Sequence, residues 1–551
     1  MVTTQSISRQ RPGSACEECR RRKVRCDRRR PQCQVCFETG IDCKISTTRL
    51  PRGPRKGQLR TLRTRIAALE RCLADQHPGI NQQMAGLFDG SGVECDSEED
   101  PLRDRATLPK QVPEICSDDQ QGGGSPRSPD PQTRPCGLVS DLMRADLDQL
   151  YFDRVHPSAP ILQRWRYQVW AKQPRKSEAQ VCLQYAMWTV AASLSAHFQS
   201  LRDTLYHETR RMLDAIDLRS PISGILAVEQ AQAWVLVAIY EYMQLSPQQA
   251  WMSAGRCCRL VLGMRLYEID DPNSPVTMAR EHEPNLVDWA GLEEQRRTFW
   301  MAYSLDRFIS FHNALPYTLN EELIATRLPT SEEDFQAGHP AATQFLPEVM
   351  AGYSSSDSSN VQSSFSQCVI LATLCGRALS HKQKSAMEQI NGELGDGLWT
   401  RHQWLHEMLT YRIQVLSALA QVDPMLIFAR IVAETLVLFL HGVLESITWK
   451  TGEHLLGIFE YERLCVMAAH EVVNLVKLQA QLGYFKVHPL TPIPIMMCTE
   501  FFTAHPYLDG SFDIMLQELL ECLQDLDHVK NPSQSPRISV SDLDRCRIMG
   551  L

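Results

Sequence analysis

The sequence lacks the apolar segments that carry a chain into or across a membrane. No apolar run follows Met1, so we expect no secretory signal peptide. The longest apolar stretch, residues 424–444, is interrupted by Arg430, Glu434 and His441. It falls short of the roughly 18 uninterrupted apolar residues of a membrane-spanning helix. We therefore interpret it as a buried helix of a globular body and expect no membrane partner.

The sequence also lacks the short motifs of common enzyme classes. It contains no G-x-S-x-G nucleophile elbow, no phosphate-binding loop and no dinucleotide-binding glycine fingerprint. The segment that begins His470-Glu471 has no second histidine four residues after the first, as a zinc-protease helix requires. We therefore predict that the chain is not an enzyme.

Alternation of apolar and polar residues at period two is rare, which argues against β-strands. Three apolar patterns have the spacing of amphipathic helices: Leu142, Leu147, Leu150 and Tyr151; Val228, Val235, Ile239 and Tyr242; and Met301, Leu305, Phe308 and Ile309. The sequence therefore predicts a mainly α protein.

Positive charge is concentrated at the start of the chain. Residues 1–71 contain 19 Lys or Arg against 6 Asp or Glu, whereas the whole chain has a net charge of -8. A basic head on an acidic body indicates that only the head binds a polyanion.

Six of the 19 cysteines lie together in this basic head, at Cys16, Cys19, Cys26, Cys33, Cys36 and Cys43. Their spacing, C-x2-C-x6-C-x6-C-x2-C-x6-C, contains two copies of C-x2-C-x6-C. Without a signal peptide we expect a reducing compartment, in which clustered cysteines bind metal and do not form disulfides. The other thirteen cysteines are expected to be ordinary core or surface residues.

The cluster has the composition of a binuclear zinc site. Two zinc ions with four ligands each need eight ligand positions, and six thiolates fill eight only if two of them bridge both ions. We therefore expect two Zn²⁺ ions per chain and no histidine ligand. The other residues of the segment are nearly all polar, so metal binding must drive its folding.

Each C-x2-C pair is expected to stand at the start of a short helix. The first of these helices is expected to carry a basic run that comprises Arg20, Arg21, Arg22, Lys23 and Arg25. A zinc clip without a role in DNA binding, or a disulfide knot, would leave this basic run unexplained.

Residues 16–43 resemble the fungal binuclear zinc cluster (Zn2Cys6) transcription factors, and every cysteine of that family's pattern is present. The resemblance implies that Cys16 and Cys33 each bind both zinc ions. Cys19 and Cys26 would complete the four ligands of one ion, and Cys36 and Cys43 those of the other.

The same resemblance implies how this segment reads DNA. In the family, the first helix points into the major groove and reads a C-G-G triplet, with the main base contact from the lysine of an R-x-K-x-[KR]-C run, here Lys23. Arg22 is expected to contact bases as well. Lysine and arginine donate to guanine O6 and N7, a pattern that only the major groove presents. Phosphate contacts are expected from Arg20, Arg25, Arg28, Arg29, Lys44, Arg52, Arg55 and Lys56.

A basic linker and a short helix are predicted to follow. Residues 44–58 contain prolines and glycines among basic residues, which prevents a continuous helix. Residues 59–76 carry apolar residues three and four apart, as at the a and d positions of a coiled coil: Leu59, Leu62, Ile66, Leu69 and Leu73. Because the family places a dimerisation helix here, we predict a homodimer whose half-site spacing depends on the linker. The alternatives are a helix that packs on its own chain, and binding as a monomer.

The rest of the chain is predicted to divide into three parts. Residues 77–137 are acidic and then rich in Gly, Ser and Pro, so we expect a disordered linker, with an acidic activation segment as the alternative. Residues 138–526 are expected to form a large all-α regulatory domain, and residues 527–551 a flexible tail. Residues 150–162 and 293–317 resemble the fungal-specific transcription factor domain found behind the zinc cluster in the same family.

The second of these pieces contains charged residues at helical spacing, namely Arg296, Arg297, Asp306 and Arg307. We interpret them as architectural and not as a ligand site. We expect exposed ion pairs, each worth under about 1 kcal/mol. The turn after them, Asn313-Ala314-Leu315-Pro316, lacks the family's usual glycine.

Together these features predict a nuclear, sequence-specific transcription factor that regulates RNA polymerase II transcription through CGG-type half-sites in double-stranded DNA. The transcription machinery or co-regulators are expected partners, and the helical body has room for a small-molecule effector. Family frequency favours regulation of a secondary-metabolite gene cluster over regulation of carbon-source use or other primary metabolism. The remaining alternative is a zinc-cluster adaptor that binds protein without specific DNA binding.

Overall fold

The computed structural model describes residues 16–22, 24–27, 29, 32–40, 43, 139–218, 226–244, 246–274, 277, 288–351, 362–392, 396–419, 423–447, 453–481, 483, 486–506 and 508–530. The chain divides into two compact units, residues 1–127 and 128–551. Within the described ranges every regular element is helical, apart from one antiparallel bridge between Arg327 and Phe345. The prediction of a mainly α fold is confirmed.

The first unit contains two short helices, α1 (Glu17–Arg21) and α2 (Gln34–Glu38). Each begins directly after the first cysteine of a C-x2-C pair, as the spacing predicts. The backbone N–H of Val24 donates to the carbonyl of Cys19 (3.0 Å), five residues earlier in the chain. An α-helical hydrogen bond spans four residues, so this longer span marks the end of α1. Arg22 and Arg25 therefore lie beyond the helix, and the prediction that the whole basic run lies on the first helix is wrong at these two residues.

The second unit is a bundle of fifteen described α-helices. They are α3 (Asp141–Leu150), α4 (Arg164–Ala171), α5 (Glu178–Ser193), α6 (Gln199–Leu218), α7 (Val228–Met243), α8 (Pro247–Gly263), α9 (Trp289–Asn313), α10 (Glu332–Ala337), α11 (Leu346–Ala351), α12 (Ser364–Asn391), α13 (Asp396–Ala418), α14 (Pro424–Glu445), α15 (Glu453–Gln481), α16 (Pro492–Ala504) and α17 (Phe512–Lys530). A π-helical turn, Tyr151–Val155, continues α3, and 3-10 turns lie at Leu266–Glu268 and Glu321–Leu323.

Polar side chains and prolines fix where several of these helices begin. The Ser177 hydroxyl accepts from the N–H of Gln180, and the Gln180 side chain accepts from the N–H of Ser177, both at 3.1 Å, which forms a capping box before α5. Asp423 accepts from the N–H of Met425 (2.8 Å), and Pro424 occupies the first position of α14.

The middle of the bundle is formed by α9, α12 and α14. Helix α9 packs against α8 and α12, α12 packs against α14, and α14 also packs against α13, α15 and α16. Of the 25 residues of α9, 18 are buried, and α7 is buried along nearly its whole length. The patterns that begin at Val228 and Met301 are helical as predicted, but they are not amphipathic, because neighbouring helices cover these two on all sides.

Helix α14 contains the longest apolar stretch of the sequence. By length and composition it could cross a membrane, but 83% of its most apolar window is buried inside the unit. A core helix of a helical body passes the same test of length and composition. The burial agrees with the prediction of a buried helix.

The charged residues of α9 form buried ion pairs. Arg297, with 1% of its side chain exposed, donates to Glu293 (3.1 Å) and Glu332 (2.6 Å). Arg296 pairs with Asp270 (2.5 Å) and Glu293 (3.4 Å). The expectation of exposed pairs is therefore wrong, because neighbouring segments close over this face of α9. Loss of one partner from a buried pair costs several times more than from an exposed one.

Asp306 and Arg307 hold the segment that follows α9. The Asp306 carboxylate accepts from the backbone N–H groups of Thr318 and Leu319, each at 2.8 Å, and Arg307 donates to the carbonyl of Leu319 (3.0 Å). A Cβ at Gly376 of α12 would lie 3.1 Å from Arg307 Nε, so the glycine allows α12 to approach the guanidinium closely. These contacts are intramolecular, as an architectural role requires.

Ala314 ends α9 in the left-handed region, with φ +52° and ψ +28°. Glycine is the usual residue at such a position because it has no Cβ. We predict that Ala314→Gly raises the free energy of unfolding by about 0.5–1 kcal/mol, because relief of the left-handed strain exceeds the entropy that glycine adds to the unfolded chain. Urea denaturation of the full chain measures this change.

The reverse substitution at the end of α10 is the matched control. Gly338 also adopts a left-handed conformation (φ +75°), so Gly338→Ala is expected to lower stability by a similar amount. An unchanged or lower stability of the Ala314→Gly variant would contradict the assignment of strain to Ala314.

Candidate metal centre and nucleic-acid interface

The six cysteines of the first unit form two groups of four thiols. The first group is Cys16, Cys19, Cys26 and Cys33, and the second is Cys16, Cys33, Cys36 and Cys43. Within each group all sulfur atoms lie within 4.8 Å of one another. Cys16 and Cys33 belong to both groups, which is the position that two bridging thiolates of a binuclear site would occupy.

The distances between sulfur atoms fit zinc and not disulfides. Sγ of Cys16 lies 3.7 Å from that of Cys33 and 3.6 Å from that of Cys36, and the Cys19–Cys33 distance is 3.7 Å. A disulfide bond is only about 2.05 Å long. Two sulfurs bound to a tetrahedral zinc ion at about 2.3 Å are about 3.8 Å apart. The donor set and its spacing therefore fit zinc coordination.

The surroundings of the thiols lower the pKa of one cysteine and raise the pKa of two others. The backbone N–H of Cys19 donates to Sγ of Cys16 (3.4 Å), and this bond lowers the pKa of the Cys16 thiol to about 6. Burial raises the pKa of Cys19 to about 12 and also raises that of Cys36. Bound Zn²⁺ supplies the positive charge that stabilises all of these groups as thiolates.

The described basic residues of this unit are at its surface. Arg21 and Arg22 both pair with Glu18, at 2.7 Å and 2.6 Å, so one carboxylate orients two guanidinium groups along α1. The side chain of Arg22, a predicted base contact, is 40% exposed. Arg25 is also exposed, and Arg29 is 76% exposed with a distant Asp27 partner (3.6 Å). These positions are accessible to a nucleic acid.

The other predicted contacts lie outside the described residues or side chains: the side chain of Arg20, and Lys23, Arg28, Lys44, Arg52, Arg55 and Lys56. The same is true of the dimerisation residues Leu59, Leu62, Ile66, Leu69 and Leu73, of the predicted segments 44–58, 59–76 and 77–137, and of residues 531–551 of the predicted tail. Residues 527–530, also predicted to belong to the flexible tail, are instead the last residues of helix α17.

Two family models match the chain. Residues 14–52 match the fungal Zn(2)-Cys(6) binuclear cluster domain. Residues 149–451, more than half of the chain, match the fungal specific transcription factor domain. The chain belongs to the fungal zinc-cluster transcription factors.

Curated relatives of this zinc-cluster transcription factor match it across both units. It is 41% identical to the citrinin biosynthesis transcriptional activator ctnR of Monascus purpureus, over 96% of this chain and 92% of that protein. It is 41% identical to the pigment biosynthesis transcriptional activator pigB of Monascus ruber, over 95% and 93%. It is 40% identical to the azaphilone cluster-specific transcription factor azaR of Aspergillus niger, over 88% and 97%.

These matches confirm the resemblance drawn from the cysteine pattern. The zinc-cluster transcription factor binds zinc and DNA through its first unit and is not an enzyme. The fungal specific transcription factor domain ends at residue 451 in the match, whereas the helices of the second unit continue to Lys530.

A third group of potential metal ligands lies in the second unit and does not follow from the sequence analysis. It consists of His441, Glu445 and His505. The sequence contained one weak signal, the spacing of four residues between His441 and Glu445, which puts both on one face of a helix. His505 is 60 residues beyond Glu445, so no local pattern connects it to the pair.

Proposed function

We propose that this zinc-cluster transcription factor holds two Zn²⁺ ions per chain and uses them to present a basic surface to CGG-type half-sites. The observation that carries the proposal is the sharing of Cys16 and Cys33 by two groups of four thiols. Six cysteines supply eight zinc–sulfur bonds only if two sulfurs serve both ions. In this proposal Lys23 makes the main base contact, Arg22 adds a second, and the remaining basic residues contact phosphates.

The regulated genes are proposed to be a secondary-metabolite biosynthetic cluster. Relatives that match 88–96% of the chain are named as transcriptional activators of citrinin biosynthesis and pigment biosynthesis and as an azaphilone cluster-specific transcription factor. The chain would then act in the nucleus on transcription by RNA polymerase II, together with the transcription machinery or co-regulators. Dimerisation through residues 59–76 would place two zinc clusters on two half-sites.

Chromatin immunoprecipitation of the full-length protein tests the regulated genes. The expected result is binding upstream of neighbouring genes that encode one biosynthetic pathway, with loss of that pathway's product when the gene for this chain is deleted. Binding spread over genes of carbon-source use would refute the pathway and leave the zinc-cluster chemistry intact.

Substitution of Lys23 tests the reading of DNA. We predict that Lys23→Ala reduces discrimination between a CGG half-site and a changed triplet by roughly tenfold to a hundredfold, because one lysine-to-guanine contact is worth about 1–3 kcal/mol. Fluorescence anisotropy with the two duplexes, at several salt concentrations, measures both affinity and discrimination.

Arg29→Ala is the matched control, because Arg29 is exposed and is proposed to contact phosphate. It is expected to weaken binding to both duplexes equally and to reduce the slope of log affinity against log salt by about 0.9. If Lys23→Ala kept its discrimination while Arg29→Ala lost it, the two assigned roles would be refuted.

A further inference from the structure

Three metal-ligating side chains converge where α14 packs against α16. His441 and Glu445 lie one helical turn apart near the end of α14, and His505 directly follows α16. One ligand atom from each residue lies within 4.8 Å of the other two. This group belongs to the second unit and shares no residue with the cysteine cluster.

The hydrogen bonds of His505 call for a cation or an extra proton. Its Nδ1 lies 3.0 Å from the carbonyl oxygen of Phe501, and its Nε2 lies 2.8 Å and 3.0 Å from the two carboxylate oxygens of Glu445. A neutral imidazole has only one N–H, so it cannot donate to both acceptors. Donation from Nδ1 to the Phe501 carbonyl leaves a lone pair on Nε2, which is the orientation of a metal-binding histidine with a backbone partner.

His441 is fully buried, and its polar atoms are unsatisfied. Neither of its ring nitrogens has a hydrogen-bond partner in the part of the chain that the structure describes. Its Nδ1 lies 3.4 Å from Glu445 Oε2, close enough for an ion pair but not aligned as a hydrogen bond. A neutral imidazole has one nitrogen lone pair, which a bound metal ion would occupy in place of the missing hydrogen-bond partner.

The distances among the ligand atoms suit a small divalent ion. Ligands at about 2.0–2.1 Å from a tetrahedral metal are about 3.3 Å apart. The Glu445–His441 contact (3.4 Å) lies close to that value, whereas the Glu445–His505 contact (2.8 Å) has the shorter length of a hydrogen bond and would lengthen by about 0.5 Å around a bound ion. Phe501 stacks on the His505 ring at 4.5 Å and screens the group from water, while Glu445, one third exposed, leaves a path of entry.

We propose that His441, Glu445 and His505 bind one divalent first-row transition-metal ion and so fasten the end of α14 to the end of α16. Two imidazoles and one carboxylate are a donor set of such ions, with the fourth position left for water or another ligand. Ca²⁺ and Mg²⁺ prefer oxygen ligands and do not suit two imidazoles.

A plain ion pair between a protonated His505 and Glu445 is the competing explanation. It accounts for the contacts of His505, but it leaves both nitrogens of the buried His441 ring without partners. The His470–Asp509 pair shows the plain case. Its atoms lie 2.9 Å apart, its histidine is 45% exposed, and it belongs to no group of three donors among the described residues.

Zinc counting on the full-length protein tests the proposal. The chain and its variants are dialysed against a fixed concentration of free Zn²⁺, and bound zinc per chain is measured by inductively coupled plasma mass spectrometry. His441→Leu, Glu445→Gln and His505→Gln are each expected to lose one zinc equivalent relative to wild type, with at least a tenfold weaker affinity for that equivalent. His470→Gln, the matched control, is expected to keep it.

Cys33→Ala separates this site from the cysteine cluster. That variant is expected to keep one zinc equivalent, which disappears when Glu445→Gln is added. Zn²⁺ should also raise the melting temperature of the helical unit in Cys33→Ala and not in the double variant. His441→Leu fills the buried space without a polar atom, so far-UV circular dichroism should show a folded protein. Equal zinc counts in wild type and all three site variants, or no zinc retained by Cys33→Ala, would overturn the site.

Discussion

Replacing Cys33 with alanine is expected to remove two zinc equivalents from the chain and to reduce DNA binding to its non-specific level. Cys33 belongs to both thiol groups, and its Sγ lies 3.7 Å from those of Cys16 and Cys19. Its loss leaves each group with three ligands. Zinc binding contributes about 10–16 kcal/mol to folding in small zinc domains, so a segment this polar should not fold without it. Loss of specific binding corresponds to roughly a thousandfold or more in affinity.

A cysteine that belongs to only one thiol group should lose fewer zinc ions than Cys33 when it is replaced. Cys19 belongs to the first group only, so Cys19→Ala is expected to keep the second ion and to lose one equivalent. Cys522, half-buried in α17 and outside both groups, is the control: Cys522→Ala should bind zinc and DNA like wild type. Elemental analysis and anisotropy titrations on the same preparations measure both properties. Equal zinc losses in Cys33→Ala and Cys19→Ala would refute the bridging role of Cys33.

The cysteine pattern was readable from the sequence because the ligands are local. All six thiols lie within 28 residues, and the C-x2-C spacing alone places two sulfurs at the start of each short helix. Helical character was also readable, since period 3.6 dominates and period two is rare. Residues 44–138, which include the predicted coiled coil, lie outside the described residues, so the assignments made there stay predictions.

Burial around α9 was not readable, because it depends on distant segments. Arg296 and Arg297 have the spacing of ordinary surface charges. Asp270, which precedes α9 in the sequence, and Glu332, which follows it, pair with these two arginines, and both arginine side chains are buried. Periodicity also failed at α7 and α9 for this reason. A helix covered on all sides needs no polar face, so its apolar spacing does not show which side is buried.

The glycine that the family places after α9 has a structural equivalent here. Ala314 stands where the family's pattern has glycine and adopts the left-handed conformation that glycine favours, so the turn keeps the conformation but carries the strain of a Cβ. The His441 group could not be found from spacing, because its third ligand comes from a helix end that only the fold brings close.

Arg297 is expected to be the most sensitive position of the helical unit. Besides two carboxylates, its guanidinium donates to three backbone carbonyls, those of Pro160 (3.0 Å), Thr330 (2.9 Å) and Ser331 (3.1 Å). It therefore ties α9 to the segment before α4 and to the start of α10. Arg297→Met is expected to lower the free energy of unfolding by about 3–5 kcal/mol, because it leaves the buried carboxylate of Glu293 and three backbone carbonyls without their donor.

Urea denaturation of the full chain, followed by far-UV circular dichroism, measures this loss. Arg211→Met is the control, since the Arg211–Glu208 pair has its arginine 63% exposed and should be worth under about 1 kcal/mol. Arg297→Lys should fall between the two, because one ammonium keeps the charge but cannot reach five acceptors in the planar geometry of a guanidinium.

A second substitution separates charge from packing at this site. Glu293 is 2% exposed and keeps contacts to Arg296 and to the N–H of Thr330 after Arg297 is lost. If its uncompensated charge causes the loss, Glu293→Gln should recover part of the stability in the Arg297→Met background and destabilise the wild type. If both backgrounds respond equally, the carboxylate is not coupled to Arg297, and the destabilisation comes from the unpaired carbonyls and the lost packing on Phe335, whose ring lies 4.0 Å from the guanidinium.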